Sequence, residues 1–134
     1  MPAWATPNDF ATGHVVTATD WNNFMGTNGD LAFLFGDTGW TNVPAFTNSW
    51  AASGTAPGYI LIGRTVWLRG AMSAGTANTA AFTLPAGYRP SQTVNVLVNN
   101  GAASANLLTV NTTGTVVPLN SATVWLNAVS FPNV

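Results

Sequence analysis

The sequence predicts a mainly β protein: an antiparallel β-sandwich of the jelly-roll kind with about eight strands, preceded by an N-terminal arm and a short helix. Three observations predict it. The chain of 134 residues is rich in Thr (19), Asn (15), Gly (13) and Pro (8), which favour strands and turns over helices. Short apolar runs alternate with turn clusters. Hydrophobic residues make up 47% of the chain, enough for a core. We divide the chain into an attachment arm and helix at 1–36 and a sandwich domain at 37–134.

The N-terminal arm and helix are predicted from local signals. Pro2, Pro7 and Gly13 favour an extended arm over residues 1–16. Thr17, followed three residues later by Asp20, is a helix-start signal of the capping-box kind, with Asp in place of the usual Glu. Apolar residues then recur at helical spacing as far as residue 35. Gly26–Gly29 is expected to break this helix into two short pieces, because glycine disfavours helical backbone.

The strand predictions rest on alternation and on turn residues. Val66, Leu68 and Met72 fall on one face of a run, and Trp67 and Arg69 fall on the other. The clusters at 99–101 and 111–114 are typical of hairpin turns because Asn and Gly tolerate positive φ. The eight predicted strands are Phe46–Trp50, Tyr59–Ile62, Thr65–Ser73, Thr79–Leu84, Thr93–Val98, Asn106–Val110, Thr115–Leu119 and Thr123–Phe131.

Charge is scarce and unevenly distributed. Charged residues are 5% of the chain and the net charge is −1, so nothing in the sequence neutralises a phosphate backbone, and nucleic acid is not an expected partner. No apolar run is long enough to cross a membrane, and no signal peptide is expected.

The acids precede the cations: Asp9, Asp20, Asp30 and Asp37 come first, then Arg64, Arg69 and Arg89. These residues are either scattered solubility and capping groups or docking pairs within one chain or between identical chains.

Catalytic chemistry is not expected. His14 is the single histidine and the chain has no Cys, so His14 has no second His or Cys with which to share a metal. No Gly-x-Ser-x-Gly elbow surrounds any Ser, and a catalytic triad would have to recruit the same His14. The four Asp residues all precede the main strand region, which places them off any sheet groove where a glycosidase pair would act. We therefore predict no enzyme activity, no catalytic residues, no metal and no cofactor.

The six tryptophans are the most suggestive chemical feature. An indole exposed on a β-sandwich can stack on a sugar ring, and Trp50 and Trp67 are the candidate glycan contacts. The alternative is that Trp50, Trp67 and Trp125, which all lie within strand runs, fill the core or subunit contacts.

Several stretches resemble one family. They are Trp4–Pro7, Phe10–Asn22, Gly63–Gly70, Phe82–Pro90, Gly114–Val117 and Trp125–Phe131. The first two are similar to the leader of small tail-associated proteins of long-tailed bacteriophages, and the others are similar to the distal domain of those virion proteins. The most specific element is the run Leu-Pro-Ala-Gly-Tyr-Arg-Pro at 84–90.

The resemblance implies a non-enzymatic virion surface protein, commonly a homotrimer, made in the cytoplasm of the bacterial host. Its position would be that of a capsid decoration or head fibre, or that of a tail appendage such as a minor tail protein or tail fibre. Its partners would be its own copies, capsid or tail proteins and, for a receptor-binding tail protein, a host surface glycan. Arg64, Arg69 and Arg89 are the candidate subunit contacts. Attachment to the particle is assigned to Trp4, Phe10, Val15, Trp21, Asn22 and Phe24. A free carbohydrate-binding module is the alternative function.

Overall fold

A computed structural model of the protein describes residues 15, 17–25, 36–102 and 104–133. Helix α1 spans Ala18–Met25. Asp20 Oδ2 accepts the Thr17 N–H at 2.8 Å, and Thr17 Oγ1 accepts the Asp20 N–H at 3.2 Å. The predicted helix start is therefore confirmed, because this reciprocal pair satisfies donors that the first helical turn leaves free. The predicted break at Gly26–Gly29, the continuation to residue 35 and most of the arm lie outside the described residues.

The rest of the described chain is built from eleven strands. They are β1 (Thr41–Asn42), β2 (Ala51–Ala52), β3 (Gly58–Ile62), β4 (Thr65–Arg69), β5 (Ala71–Ser73), β6 (Phe82–Thr83), β7 (Val94–Asn99), β8 (Ala105–Val110), β9 (Thr115–Pro118), β10 (Val124–Trp125) and β11 (Ser130–Pro132). Within these described residues no helix is long and apolar enough to cross a lipid bilayer.

The strands form three antiparallel sheets around one core. Their strand orders are β1-β3-β4-β11, β10-β5-β2 and β6-β9-β8-β7. One apolar cluster joins all three sheets: it includes Leu68 of the first, Met72 of the second and Phe82 of the third, each at most 2% exposed. The predicted mainly β, antiparallel sandwich is confirmed.

Two of the eight predicted strands are each divided in two. Gly70 has φ +87° and turns the chain between β4 and β5, which belong to different sheets. An L-residue side chain disfavours this backbone conformation, whereas glycine adopts it freely. The run Thr123–Phe131 is likewise divided into β10 and β11, where the Val129 N–H bonds to the Leu126 carbonyl across a turn.

The predicted strand Phe46–Trp50 is wrong. Asn48 and Ser49 have φ of 52° and 64°, so this segment forms a turn, which the Trp50 N–H closes onto the Thr47 carbonyl at 3.1 Å. The short strands β1 and β2 flank this region instead. Polar side chains anchor the turn, since Thr47 Oγ1 and Asn48 Nδ2 both donate to the Ala80 carbonyl.

Both predicted hairpins are present. β7 pairs with β8 after a connection that begins with Asn100 and Gly101, and β8 pairs with β9 through the turn at 111–114. The predicted alternation also holds in β4, where Val66 and Leu68 are buried and Trp67 is exposed. One buried polar side chain lies at the start of the second hairpin. The amide of Asn106 is 1% exposed, donates to the Asn120 carbonyl and accepts the Asn120 N–H, both at 3.2 Å.

Candidate functional site

The outer surface of the β1-β3-β4-β11 sheet carries the first group of candidate residues. We name it the Trp67 face, formed by Ile62, Thr65, Trp67 and Arg69; Ile60 lies on the same side of its strand but is buried, at 5% exposed. Trp67 lies opposite Ile60 on β3 and Ser130 on β11. Because side chains alternate along a strand, these residues point away from the core that Val66 and Leu68 fill. Trp67 is 41% exposed, so one part of its indole is accessible to a ligand or a partner.

Arg69 is held by its own chain at one end of the Trp67 face. Its guanidinium carbon lies 4.6 Å from the centre of the Trp40 ring, and its Nη2 donates to Asn42 Oδ1 at 3.1 Å. The side chain crosses Gly58, where an added Cβ would lie 3.1 Å from Arg69 Nε. That Nε is buried and makes no hydrogen bond to a described residue. The contact with Trp40 is a cation–π interaction, which stabilises this geometry modestly at a half-exposed position.

The other two arginines that the sequence predicts as subunit contacts lie in different places. Arg64 is exposed in the turn between β3 and β4, and its carbonyl accepts the Asn133 N–H. Arg89 donates from Nε to the Leu84 carbonyl at 2.8 Å, which closes the loop after β6. Arg69 and Arg89 therefore have structural roles within the chain, while Arg64 is exposed and bonds to the chain through its backbone carbonyl.

The prediction of Trp50 as a glycan contact is wrong. Its ring is 3% exposed and belongs to the core cluster, and its Nε1–H donates to the Thr76 carbonyl at 3.2 Å. A buried indole has no free face on which a sugar could stack. Of the two tryptophans proposed as glycan contacts, Trp67 is the accessible one.

The structure contains an accessible tryptophan that the sequence analysis assigned to no ligand. Trp125 of β10 is 40% exposed, because its neighbour Val124 faces the core and the strand alternates. Trp125 lines a cleft of about 510 Å³ together with Leu97 and Asn99 of β7 and the residues just after β10. The exposed position of Trp125 follows from alternation once the strand is placed. The cleft does not follow from alternation, because it requires two strands from different sheets to lie side by side.

The candidate attachment residues are described only in part. Val15 is 80% exposed and Trp21, in the first turn of α1, is 57% exposed. Asn22 and Phe24 belong to α1, but their side chains lie outside the described part of the chain. Trp4 and Phe10 lie wholly outside it. Two large apolar side chains near the N-terminus are therefore accessible, as an attachment surface requires.

Comparison with solved structures shows a likeness of fold to a phage protein. The chain resembles the crystal structure of the receptor binding protein gp15 of Listeria phage PSA, with a TM-score of 0.56 and 17% sequence identity over 87% of each chain. No protein-family profile matches the chain, and no curated protein matches its sequence. At this level of identity the likeness shows a shared fold, and it extends over most of both chains.

Proposed function

We propose that this chain is a non-enzymatic surface protein of a bacteriophage virion, made in the cytoplasm of the host bacterium. Residues 1–36 attach it to the particle, and the sandwich of residues 37–134 projects from it as a capsid decoration or head fibre, or as a tail appendage. The observation that carries the proposal is the fold shared with a phage receptor binding protein over 87% of each chain. The resemblance of the N-terminal leader to tail-associated phage proteins supports it independently.

The surface of the protein supports a role in an assembly. Charged residues are 5% of the chain, and large apolar side chains such as Ile62, Trp67 and Leu119 are 41–49% exposed. A surface with so little charge favours association, because charge is what keeps most soluble domains apart. Contact between copies would cover part of this apolar surface, and we propose a homotrimer. Arg64 is the subunit-contact candidate that is most available, since Arg69 and Arg89 are bound to their own chain.

Deletion of residues 1–36 tests the attachment role. We expect the shortened protein to keep the circular dichroism spectrum of a β-sandwich but to be absent from purified particles when it replaces the full chain. A protein carrying Trp21→Ala is a milder variant that keeps the arm, and its amount per particle should fall. Normal incorporation of the protein that lacks residues 1–36 would contradict the proposed attachment.

Carbohydrate binding is the second candidate function, and the exposed aromatic side chains favour it. Trp67 and Trp125 are 41% and 40% exposed on strands of the sandwich. An exposed indole offers an apolar face that stacks on the C–H groups of a sugar ring. The two functions are compatible, since a receptor-binding protein of the tail is a virion component and a glycan binder at once.

A further inference from the structure

The cleft beside Trp125 has two walls of different chemistry. One wall is the end of β7, with Leu97 and Asn99, and the other is the Trp125 indole with Asn127, just beyond β10. Gly101 lies between the walls, where an added Cβ would be 3.5 Å from the indole Nε1. Leu97 is 72% exposed at the rim. The volume of about 510 Å³ lies within the range of about 300–1,000 Å³ typical of small-molecule sites.

The β7 wall presents backbone hydrogen-bonding groups to the cleft. β7 is the edge strand of its sheet and pairs with β8 alone among the described strands. The Asn100 N–H bonds to the Ser104 carbonyl, so by antiparallel alternation Val98 also directs its backbone groups toward β8. Leu97 and Asn99 direct theirs the opposite way. An edge of this kind carries N–H and C=O groups that are free to bind a ligand.

The polar side chains of the cleft are oriented by the chain itself. Asn99 Oδ1 accepts the Gly101 N–H at 2.6 Å, and Asn127 Oδ1 accepts the Gly70 N–H at 2.8 Å. With both amide oxygens engaged, both Nδ2 groups remain as donors that bond to no described residue. The Nε1–H of Trp125 likewise donates to none of the described residues. The lining of the cleft thus combines an aromatic surface with unpaired side-chain donors and the backbone groups of the β7 edge.

The charge of the cleft limits what it can bind. None of the described residues that line it is ionisable. A charged ligand would lose hydration there without gaining an opposite charge, whereas a neutral polyhydroxyl compound can exchange its hydrogen bonds with water for bonds to amides and backbone. Sugar rings also have apolar C–H faces that fit an indole. An extended peptide added to β7 would need several residues of edge, but the cleft reaches only the end of that strand, at residues 97–99.

We infer that the cleft between Trp125 and the β7 edge is a binding site for a neutral saccharide. This inference rests on the second function proposed above and is independent of where the protein sits on a particle. It assigns the ligand to Trp125 rather than to the Trp67 face.

A printed array of neutral and acidic bacterial oligosaccharides, followed by calorimetric titration of the strongest neutral binder, tests the inference. We expect the full chain to bind neutral oligosaccharides. Trp125→Ala should weaken binding by at least about tenfold, since it removes the stacking surface. Trp67→Ala should leave binding within about twofold of the original, because Trp67 lies on another sheet. A loss on Trp67→Ala with retention on Trp125→Ala would overturn the assignment.

A pair of matched variants on β7 tests the polar contacts without disturbing the fold. Asn99→Asp keeps the oxygen that accepts the Gly101 N–H but replaces the amide donors with a negative charge, so it should weaken binding. Asn95→Asp makes the same change on the same strand outside the cleft, and its oxygen still accepts the Thr109 hydroxyl. It should bind like the original chain. Equal effects of the two variants would overturn the inference.

Other occupants of the cleft give different results in the same experiments. Binding to acidic oligosaccharides alone, or to no oligosaccharide on the array, would overturn the neutral saccharide site. If a second copy of the chain fills the cleft, Leu97→Asp would reduce the oligomer size in light scattering and the saccharide titration would be flat; this result too would overturn the inference. Finding the protein on no virion would remove the first proposed function and leave this inference standing.

Discussion

The contact between Gly75 and the Trp50 ring gives the sharpest test of how the core is built. A Cβ added at Gly75 would lie 1.9–2.1 Å from three carbons of that ring, far inside van der Waals contact. The ring cannot move outward freely, because it is 3% exposed and its Nε1–H bonds to the Thr76 carbonyl. Gly75→Ala must therefore displace the ring or the loop that carries residue 75.

The expected magnitude follows from two contributions. Overpacking a core costs about 1–3 kcal/mol, and a lost hydrogen bond adds about 1 kcal/mol, so Gly75→Ala should lower the free energy of unfolding by about 2–4 kcal/mol. At about 4 °C per kcal/mol, the Tm should fall by roughly 8–16 °C. Urea denaturation followed by tryptophan fluorescence measures the first quantity, and calorimetry measures the second.

A double-mutant cycle isolates the contact. In a Trp50→Ala background the ring is gone, and Gly75→Ala should then change the free energy of unfolding by less than about 1 kcal/mol. Two results would show that this contact does not limit the packing: a Gly75→Ala change below about 0.5 kcal/mol in the original chain, or an equal change with and without the Trp50 ring.

Three further predictions concern Gly70 between β4 and β5, the buried side chain of Tyr59, and the contact of Arg69 with Trp40. Gly70→Ala should lower the free energy of unfolding, measured by urea denaturation, by more than about 2 kcal/mol, because its Cβ would lie 2.5 Å from the Ala56 carbonyl oxygen. Gly87→Ala is the control: Gly87 also has positive φ but lies in open space, and this change should lower the free energy of unfolding by about 1 kcal/mol. Burial and the neighbouring Tyr88 raise the pKa of Tyr59 above 10.0, so the contribution of Tyr59 to the free energy of unfolding should be intact below pH 10 and should fall as the pH rises past 10. Tyr59→Phe should reduce that fall. The same pH profile in Tyr59→Phe as in the original chain would contradict this prediction. Arg69→Met should cost about 1 kcal/mol by removing the Trp40 contact and the Asn42 bond, and no measurable loss would mean that both are negligible.

Local signals in the sequence predicted local structure well. The Thr17–Asp20 pair identified the start of α1, and the Asn- and Gly-containing turns identified both hairpins that involve β8, because each feature depends on residues a few positions apart. The alternation of Val66, Trp67 and Leu68 likewise assigned each side chain to the correct side of the sheet.

The errors arise where distant residues decide the outcome. Trp50 follows a turn rather than ending a strand, and the turn is held by the Ala80 carbonyl, 32 or more positions away in the sequence. Its burial depends on the space over Gly75, which no periodicity indicates. The Trp125 cleft was missed for the same reason, since β7 and β10 belong to different sheets. Alternation indicates which side of a strand is exposed but not what lies opposite it.

Immunogold electron microscopy of phage particles, with antibody raised against residues 37–134, tests whether this chain is a virion surface protein. We expect label on the particles, either over the shell, as for a capsid decoration or head fibre, or at the tail, as for a tail appendage. Particles of a phage that lacks the gene for this chain are the control and should carry no label. Absence of label from every part of the particle, with the protein present in the lysate, would contradict the virion assignment and favour a free carbohydrate-binding protein.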